Sequence, residues 1–219
     1  MPTEIRFLFD LVSPYAYLAS TQVRALGARH GREVVAVPVL FAALVDASGA
    51  QGPAEIPAKR EYMYRDVNRL AAALDVPINP PATHPFNPLA ALRASHAVDD
   101  MAVRWRLVDA LFRAAWVDER RIDQPDDVAC VATAVGLDGN ELATRAAATE
   151  AKRALRAATD AAIADGVFGV PTMIVDGELF WGVDSLHLLD RFLSGETIDA
   201  DRLARWRAIA PSAERRAKG

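Results

Sequence analysis

The sequence predicts an α/β protein in which a β-α-β unit and a β-β-α unit flank a long helical block. The first unit is indicated by an alternating strand, with Ile5, Phe7 and Phe9 on one side, and by a β-branched second strand over residues 33–40. A two-residue Asp-Gly turn at 176–177, between two short apolar runs, indicates the hairpin of the second unit. Between the two units, apolar residues recur at helical spacing.

The first strand passes into a helix at Ser13-Pro14. Serine is favoured at the N-cap of a helix and proline at its first position, so the helix is predicted to begin here. Its apolar side is formed by Tyr17, Leu18, Val23 and Leu26. Because a strand-helix-strand connection within one sheet is right-handed and joins parallel strands, residues 5–9 and 33–40 are expected to pair in parallel.

The helical block is predicted to contain five helices. Helical spacing covers residues 58–74, 89–97, 102–117, 126–135 and 140–164. A loop is expected at 48–53, and the five prolines between Val76 and Pro88 predict an extended, irregular connection. We therefore divide the chain into an α/β domain, residues 1–40 and 167–219, and a helical insertion, residues 41–166.

The C-terminal unit is predicted as two strands and a helix. The strands cover residues 173–175 and 178–181, and the helix covers 185–193 with Asp184 as its N-cap. A helical tail from residue 200 is expected to end in a frayed, charged segment at 214–218.

The composition is that of an ordinary globular protein. Of 219 residues, 52% are hydrophobic and 25% charged, and the net charge of −4 offers no electrostatic case for binding nucleic acid or an anionic membrane. No apolar run approaches the length of a membrane span, and the N-terminus lacks the pattern of a secretory signal, so a cytoplasmic location is expected.

Cysteine and histidine usage narrows the chemistry further. Cys130 is the single cysteine, which excludes an intramolecular disulfide, and it is predicted to be a small buried hydrophobe. The four histidines show no metal-ligand spacing, so no metal site is expected.

Ser13 is the candidate centre of the chemistry. At the start of a helix, four backbone N–H groups lack intrahelical partners, and the helix dipole adds partial positive charge beside the Ser13 hydroxyl. An anion, including a thiolate, would be stabilised at such a position. Ser-Pro alone is a common helix start that usually only caps the helix, and a functional role for Ser13 is indicated only together with residues 166–184.

The whole pattern resembles the thioredoxin fold with a helical insertion, as in DsbA-type disulfide oxidoreductases and kappa-class glutathione transferases. In that fold a cis-proline loop, matched here by Val170-Pro171, precedes the hairpin and faces the start of the first helix. Three motifs are together similar to those of 2-hydroxychromene-2-carboxylate isomerases: Ser13-Pro14-Tyr15-Ala16-Tyr17-Leu18, Gly166-Val167-Phe168-Gly169-Val170-Pro171-Thr172 and Phe180-Trp181-Gly182-Val183-Asp184.

The residues at the helix start argue against redox chemistry. A dithiol enzyme needs two cysteines in C-x-x-C spacing, and those positions are Ser13 and Ala16 here. The resemblance implies that glutathione supplies the sulfur. Ser13 would be the catalytic residue, donating a hydrogen bond that favours the thiolate, rather than being the nucleophile itself.

The resemblance also implies where glutathione binds. Val170, beside Pro171, would pair with the cysteinyl backbone by strand addition. Trp181, Gly182, Val183 and Asp184 would hold the γ-glutamyl end, with the Asp184 carboxylate near its ammonium. Asp184 has an alternative role as a helix cap, and Trp181 has an alternative role in core packing.

The substrate side departs from the family pattern. A lysine is expected near Asp46, an asparagine near Ala50 or Glu55, and a tyrosine near His84. Asp46 would repel a substrate carboxylate where a lysine would attract it. Candidate lining residues are Phe41, Tyr62, Phe86 and Trp116, each of which has a core role as its alternative.

Three functions remain open at this point. The first is a glutathione-dependent isomerase of a small conjugated aromatic keto acid, such as 2-hydroxychromene-2-carboxylate, in aromatic catabolism. The second is a kappa-like glutathione transferase acting on another electrophile. The third is a non-catalytic thioredoxin-fold protein that binds glutathione or a peptide. The resemblance implies a homodimer.

Overall fold

The computed structural model describes residues 4–212 and shows four strands and ten α-helices within them. The strands are β1 Glu4–Phe9, β2 Glu33–Pro38, β3 Thr172–Val175 and β4 Glu178–Trp181. The helices are α1 Pro14–Arg29, α2 Phe41–Ser48, α3 Pro57–Leu74, α4 Leu89–His96, α5 Met101–Trp116, α6 Pro125–Ala134, α7 Gly139–Ala147, α8 Thr149–Ala164, α9 Leu186–Leu193 and α10 Ala200–Arg207. Short 3-10 turns at Pro53–Glu55 and Val183–Ser185 precede α3 and α9. The charged segment at 214–218 lies outside the described residues.

The four strands form one mixed sheet in the order β2-β1-β3-β4. Strand β1 pairs in parallel with β2, with Phe7 opposite Ala36, and antiparallel with β3, with Phe7 opposite Met173. Asp176 and Gly177 join β3 to β4 with φ values of 50° and 84°, the left-handed values that a tight hairpin turn requires. The predicted β-α-β and β-β-α units are therefore confirmed, and they share one sheet.

The helical block packs on this sheet through buried aromatic rings. The ring centroids of Phe7 and Trp105 are 5.7 Å apart, and those of Phe9 and Phe112 are 5.6 Å apart. Such pairs contribute about 0.5–1.5 kcal/mol each beyond the area they bury. Because two of these rings belong to β1 and two to α5, the contact fixes the block against the strand that leads to Ser13. The boundaries drawn at 40/41 and 166/167 stay a prediction.

Helix α2 was not anticipated by the sequence. Leu40 is its N-cap residue and provides no side-chain cap. Its first backbone N–H groups instead find distant side chains: Leu40 N–H donates to Thr159 Oγ1 at 3.0 Å, and Phe41 N–H donates to Asp10 Oδ2 at 2.9 Å. The N-terminus of α2 is therefore capped by residues that are distant in sequence. For this reason the sequence around residue 41 does not predict where the helix begins.

The long helix predicted over residues 140–164 is in fact two helices, α7 and α8. Ala148 between them is extended, with φ −63° and ψ 156°. Helix α7 packs against α4 and α6, whereas α8 packs against α2, α4 and β2. The two helices share α4 as a partner but differ in the others, and the chain changes direction between them at a residue whose type carries no break signal.

Two further expectations are corrected. Helix α9 begins at Leu186 with Ser185 as its N-cap and without a side-chain capping bond, so Asp184 does not cap it. Cys130 is exposed rather than buried. The buried side of α6 is formed by Val128, Val131 and Ala132, and Cys130 points away from it because neighbouring helical positions face different directions.

Within residues 4–212, every helix falls short of the length and apolar character needed to cross a membrane.

Candidate active site

A cavity of about 1310 Å³ opens between the start of α1, the loop before β3 and the helical block. Ligand sites for one small molecule typically measure about 300–1,000 Å³. The cavity is lined by every predicted site residue, namely Ser13, Val170, Pro171, Trp181, Gly182, Val183 and Asp184, and by the four departures from the family pattern, Asp46, Ala50, Glu55 and His84. Phe41, Tyr62 and Phe86 also line it.

Ser13 is the N-cap of α1, as predicted, with Pro14 at the first helical position. Its Oγ accepts a hydrogen bond from Ala16 N–H at 3.2 Å, and it is buried. A hydroxyl that accepts from the helix keeps its own proton to donate. Among residues 4–212, no carboxylate or imidazole bonds to Ser13 Oγ, so the general base that a serine nucleophile requires is not in contact with it.

The loop before Ser13 is held by a buried carboxyl group that the sequence analysis did not single out. Asp10 is 1% exposed; its Oδ1 accepts from Val12 N–H at 3.0 Å and its Oδ2 from Phe41 N–H at 2.9 Å. Burial raises the pKa of Asp10 to about 7, against the opposing effect of the two N–H donors. An acidic residue directly after an apolar strand was the signal that could have found it.

Two side chains of the helical block fasten the same loop by its carbonyls. Trp116 Nε1 donates to the Leu11 carbonyl at 3.0 Å, and His84 Nε2 lies 3.1 Å from the Val12 carbonyl. A carbonyl only accepts, so Nε2 carries the proton in that contact. Burial lowers the pKa of His84, which favours the neutral ring. Trp116 therefore anchors the site from beneath instead of lining the cavity.

The loop before β3 brings an open backbone edge to Ser13. The Val170-Pro171 peptide is cis, and the Val170 carbonyl oxygen lies 3.5 Å from Ser13 Oγ. The side chain of Val170 is buried. Within the described chain, its N–H has no hydrogen-bond partner. A buried backbone donor is normally satisfied, so this one is suited to pairing with the backbone of a bound peptide.

Trp181 and Asp184 stand at the rim of the cavity. Trp181 is 52% exposed, so it is not a core residue; its ring meets Phe168 edge-on at 4.9 Å and lies over Gly169, where a Cβ would be 2.7 Å from Nε1. Val183 is buried beneath the rim.

Gly182 and Asp184 form the turn that follows. Gly182 has φ 91°, and the Asp184 carboxylate folds over it so that a Cβ there would collide with Oδ1. Among residues 4–212, the Asp184 carboxylate has no ion pair or hydrogen bond, and it is exposed. An exposed, unpaired carboxylate could bind an ammonium group.

Helix α3 contributes a carboxylate to the cavity whose partners the sequence did not indicate. Asp66 of α3 accepts from Tyr15 OH at 3.0 Å, and Tyr62 OH lies 3.5 Å from its other oxygen. Burial, together with the Asp66 hydrogen bond, raises the pKa of Tyr15. Asp66 and Tyr15 are 51 positions apart, and helical spacing alone could not pair them.

No group of three or more His, Cys, Asp or Glu side chains within the described part of the chain is arranged to hold a metal ion. The polar groups of the cavity instead suit an organic ligand: a hydroxyl donor at a helix start, an unpaired backbone edge and a free carboxylate at the rim.

Comparisons with known proteins agree with this architecture. A family model described as a DSBA-like thioredoxin domain matches residues 4–194. The 2-hydroxychromene-2-carboxylate isomerase of Sphingobium xenophagum is 32% identical over 198 residues, which cover 88% of this chain and 99% of that protein. Glutathione S-transferase kappa 1 of Homo sapiens is 25% identical over 207 residues, covering 88% and 92%.

A solved structure of 2-hydroxychromene-2-carboxylate isomerase superimposes with a TM-score of 0.80 at 26% identity, covering 94% of this chain and 98% of that one. The match to the family model and the first relative each span most of the chain, and the helical insertion is part of the shared fold. This chain therefore belongs to the 2-hydroxychromene-2-carboxylate isomerase family of DsbA-like thioredoxin-fold proteins, a family of isomerases.

Proposed function

We propose that this protein is a glutathione-dependent cis–trans isomerase of a small conjugated carbonyl compound. The observation that carries the proposal is the Ser13 hydroxyl, which accepts from Ala16 N–H, donates only at 3.5 Å to the Val170 carbonyl, and lies beside a residue whose N–H is unpaired within the described chain. Bound glutathione would supply a thiolate that adds reversibly to the conjugated system, permits rotation about the former double bond and leaves unchanged. Ser13 would hold that sulfur as the thiolate, without becoming covalently modified.

The other residues of the site would each bind a different part of glutathione. Val170 would pair with the cysteinyl backbone beside Pro171, and Trp181 to Val183 would cover the γ-glutamyl segment. The Asp184 carboxylate would receive its ammonium. Lys59, the one lysine or arginine among the described residues that line the cavity, would receive the glycine carboxylate. The volume of about 1310 Å³ exceeds what one small ligand needs, which supports two molecules side by side.

A second candidate is a kappa-like glutathione transferase, favoured by the human kappa relative at 25% identity. The same thiolate would then remain bonded to the product. The two are separated by the fate of glutathione, because an isomerase returns it in full and a transferase consumes it. Mass spectrometry of the product and of the free thiol after turnover decides between them.

The test of the proposal compares Ser13→Ala with Ser20→Ala. Ser20 lies on the same helix, is buried and donates to the Tyr17 carbonyl at 2.7 Å. The pKa of bound glutathione is followed by the ultraviolet absorbance of its thiolate as pH is raised. A hydrogen bond to a charged group contributes about 1.5–3 kcal/mol, so Ser13→Ala should raise the bound thiol pKa by about 1–2 units.

Ser20→Ala should leave that pKa unchanged, although it also costs stability. Equal thiol titrations in the wild type and Ser13→Ala would show that the assigned role is wrong. The titration needs no substrate, so it tests the site before any substrate is known.

We also propose, from the family resemblance, that the protein is a cytoplasmic homodimer in which residues 1–40 and 167–219 form the thioredoxin-like domain and 41–166 the insertion. Light scattering coupled to size exclusion tests the dimer, and a monomer at micromolar concentration would contradict it.

A further inference from the structure

Three carboxylates contributed by the helical insertion line the same cavity as Ser13, and we name them the acidic wall: Asp46 of α2, Glu55 of the 3-10 turn and Asp66 of α3. Within residues 4–212, none of them has an ion-pair partner. In ordinary protein surfaces such groups are interspersed with lysine and arginine. Here the described lining offers a single cation, Lys59.

The hydrogen bonds that these carboxylates accept come from uncharged groups. Asp66 receives the hydroxyls of Tyr15 and Tyr62, and Glu55 Oε1 receives Gly52 N–H at 2.9 Å. Both are hydrogen bonds from neutral donors, which orient a carboxylate without cancelling its charge. The Asp46 carboxylate has no hydrogen bond within the described chain.

Apolar side chains line the same cavity beside Ser13 and the acidic wall. They are contributed by α2, α3 and the proline-rich connection: Phe41, Val45, Met63, Leu70 and Phe86. A ligand in this space therefore buries an apolar or aromatic body, and any charge it carries faces carboxylates.

We propose that the second substrate is an uncharged conjugated carbonyl compound with an aromatic or apolar body, and that the acidic wall disfavours analogues carrying a carboxylate. The inference rests on the proposed function. Glutathione brings a glycine carboxylate of its own, and Lys59 cannot neutralise two carboxylates at separate places. A substrate carboxylate would then meet the acidic wall without a cation to offset it.

The test uses two substrates with the same aromatic conjugated body: cis-benzylideneacetone, which has a neutral methyl on the ketone, and cis-benzylidenepyruvate, which has a carboxylate there. The conversion of each to the trans isomer is followed with glutathione, after subtracting the rate with glutathione alone. Because the two electrophiles differ in intrinsic reactivity, each kcat/KM is divided by the rate constant with glutathione alone. The wild type is then expected to favour the neutral compound about 10-fold or more, equivalent to about 1.4 kcal/mol of repulsion.

Neutralising the wall sharpens the test. Asp46→Asn and Glu55→Gln keep size and hydrogen-bonding capacity, and together they should raise the ratio of carboxylate to neutral kcat/KM by about 10-fold. Asp75→Asn is the matched control: Asp75 is exposed, lies outside the cavity and has φ 54°, which asparagine tolerates, so the ratio should stay at its wild-type value.

Ionic strength gives a readout that needs no variant. Added salt screens exposed charges, so the wild-type ratio should move toward the carboxylate substrate as salt is raised. A wild-type preference for cis-benzylidenepyruvate, or a ratio insensitive to both salt and the two substitutions, would overturn the inference and leave the isomerase proposal standing. Turnover of neither compound above background would overturn the isomerase proposal and this inference with it.

Discussion

The two sides of the cavity satisfy their polar groups in opposite ways. The loop of residues 10–13 presents Ser13, and we name it the anchored wall. Three groups from outside the loop bond to it: Phe41 N–H to the Asp10 carboxylate, His84 to the Val12 carbonyl and Trp116 to the Leu11 carbonyl. The acidic wall has carboxylates without ion-pair partners among the described residues, two of them on exposed residues. The anchored wall is fixed by buried and partly buried hydrogen bonds, whereas the acidic wall is defined by carboxylates that no cation neutralises within the described chain.

This difference separates two tasks. A hydroxyl that stabilises a thiolate must be held within a few tenths of an ångström, and the hydrogen bonds from Phe41 N–H, His84 and Trp116 provide that constraint. Discrimination between substrates needs only the electrostatic field of the cavity and its shape. Exposed carboxylates provide the field, and apolar side chains provide the shape. We infer that changes on the anchored wall alter chemistry and stability, whereas changes on the acidic wall alter substrate choice.

The largest expected effect comes from the buried carboxyl of the anchored wall. Burial raises the pKa of Asp10 from 3.8 to about 7. Because the folded-state pKa lies above the unfolded one, the native protein keeps a proton that the unfolded chain releases, so the free energy of unfolding falls as pH rises from about 4 to about 7. At about 1.4 kcal/mol per pH unit, the loss is at most roughly 4 kcal/mol.

Asp10→Asn removes this dependence. Denaturant unfolding of the wild type and the variant across that window should show the wild type losing stability relative to Asp10→Asn as pH rises. Asp75→Asn, an exposed acid far from the loop, should follow the wild type. Parallel curves for the wild type and Asp10→Asn would contradict the assignment of the shift to burial of Asp10.

A smaller effect is expected from the tryptophan anchor. Trp116→Phe leaves the Leu11 carbonyl without its donor, which should cost about 1–3 kcal/mol of unfolding free energy. Trp105→Phe is matched to it, since Trp105 Nε1 donates to the Val34 carbonyl at 2.8 Å, away from the Ser13 loop. Both variants should lose stability, but only Trp116→Phe should shift the bound thiol pKa. An equal shift of the bound thiol pKa in Trp105→Phe would show that Trp116 has no specific effect on the Ser13 loop.

The smallest effect concerns the acidic wall, where Tyr15→Phe and Tyr62→Phe form a pair. Tyr15 OH lies 3.0 Å from Asp66 and is partly buried, so its loss should cost about 1 kcal/mol. Tyr62 is 61% exposed and its contact is 3.5 Å, so its loss should stay within about 0.5 kcal/mol. Thermal unfolding measures both, and a larger cost for Tyr62→Phe would show that the wall is anchored differently.

The predicted and unpredicted parts of the site differ in the sequence range of their interactions. Ser13 caps α1 by accepting from Ala16 N–H, only three positions along the chain, so the local Ser-Pro pattern was enough to predict it. The contact of Trp116 with Leu11 spans 105 positions, and that of Asp10 with Phe41 spans 31. Periodicity identifies which face of an element is apolar but not which distant carbonyl an indole will reach.

The same reasoning explains the errors in the fold. Ala148, which separates α7 from α8, is a good helix former, and only the different partners of the two helices require the break. Asp184 has a residue type favoured at caps, yet the chain enters α9 through a 3-10 turn, so its carboxylate is left free at the rim of the cavity.

By itself, the sequence determined the order of the four strands, the helix start at Ser13, the hairpin turn at 176–177 and the absence of a C-x-x-C dithiol. Each of these follows from residues within a few positions of one another, where backbone geometry and side-chain chemistry act directly. Tertiary structure alone decided that Asp10, His84 and Trp116 hold one loop, and that three carboxylates share one wall. Those arrangements arise because packing the helical block on the sheet joins groups that are far apart along the chain, and such pairings leave no local trace.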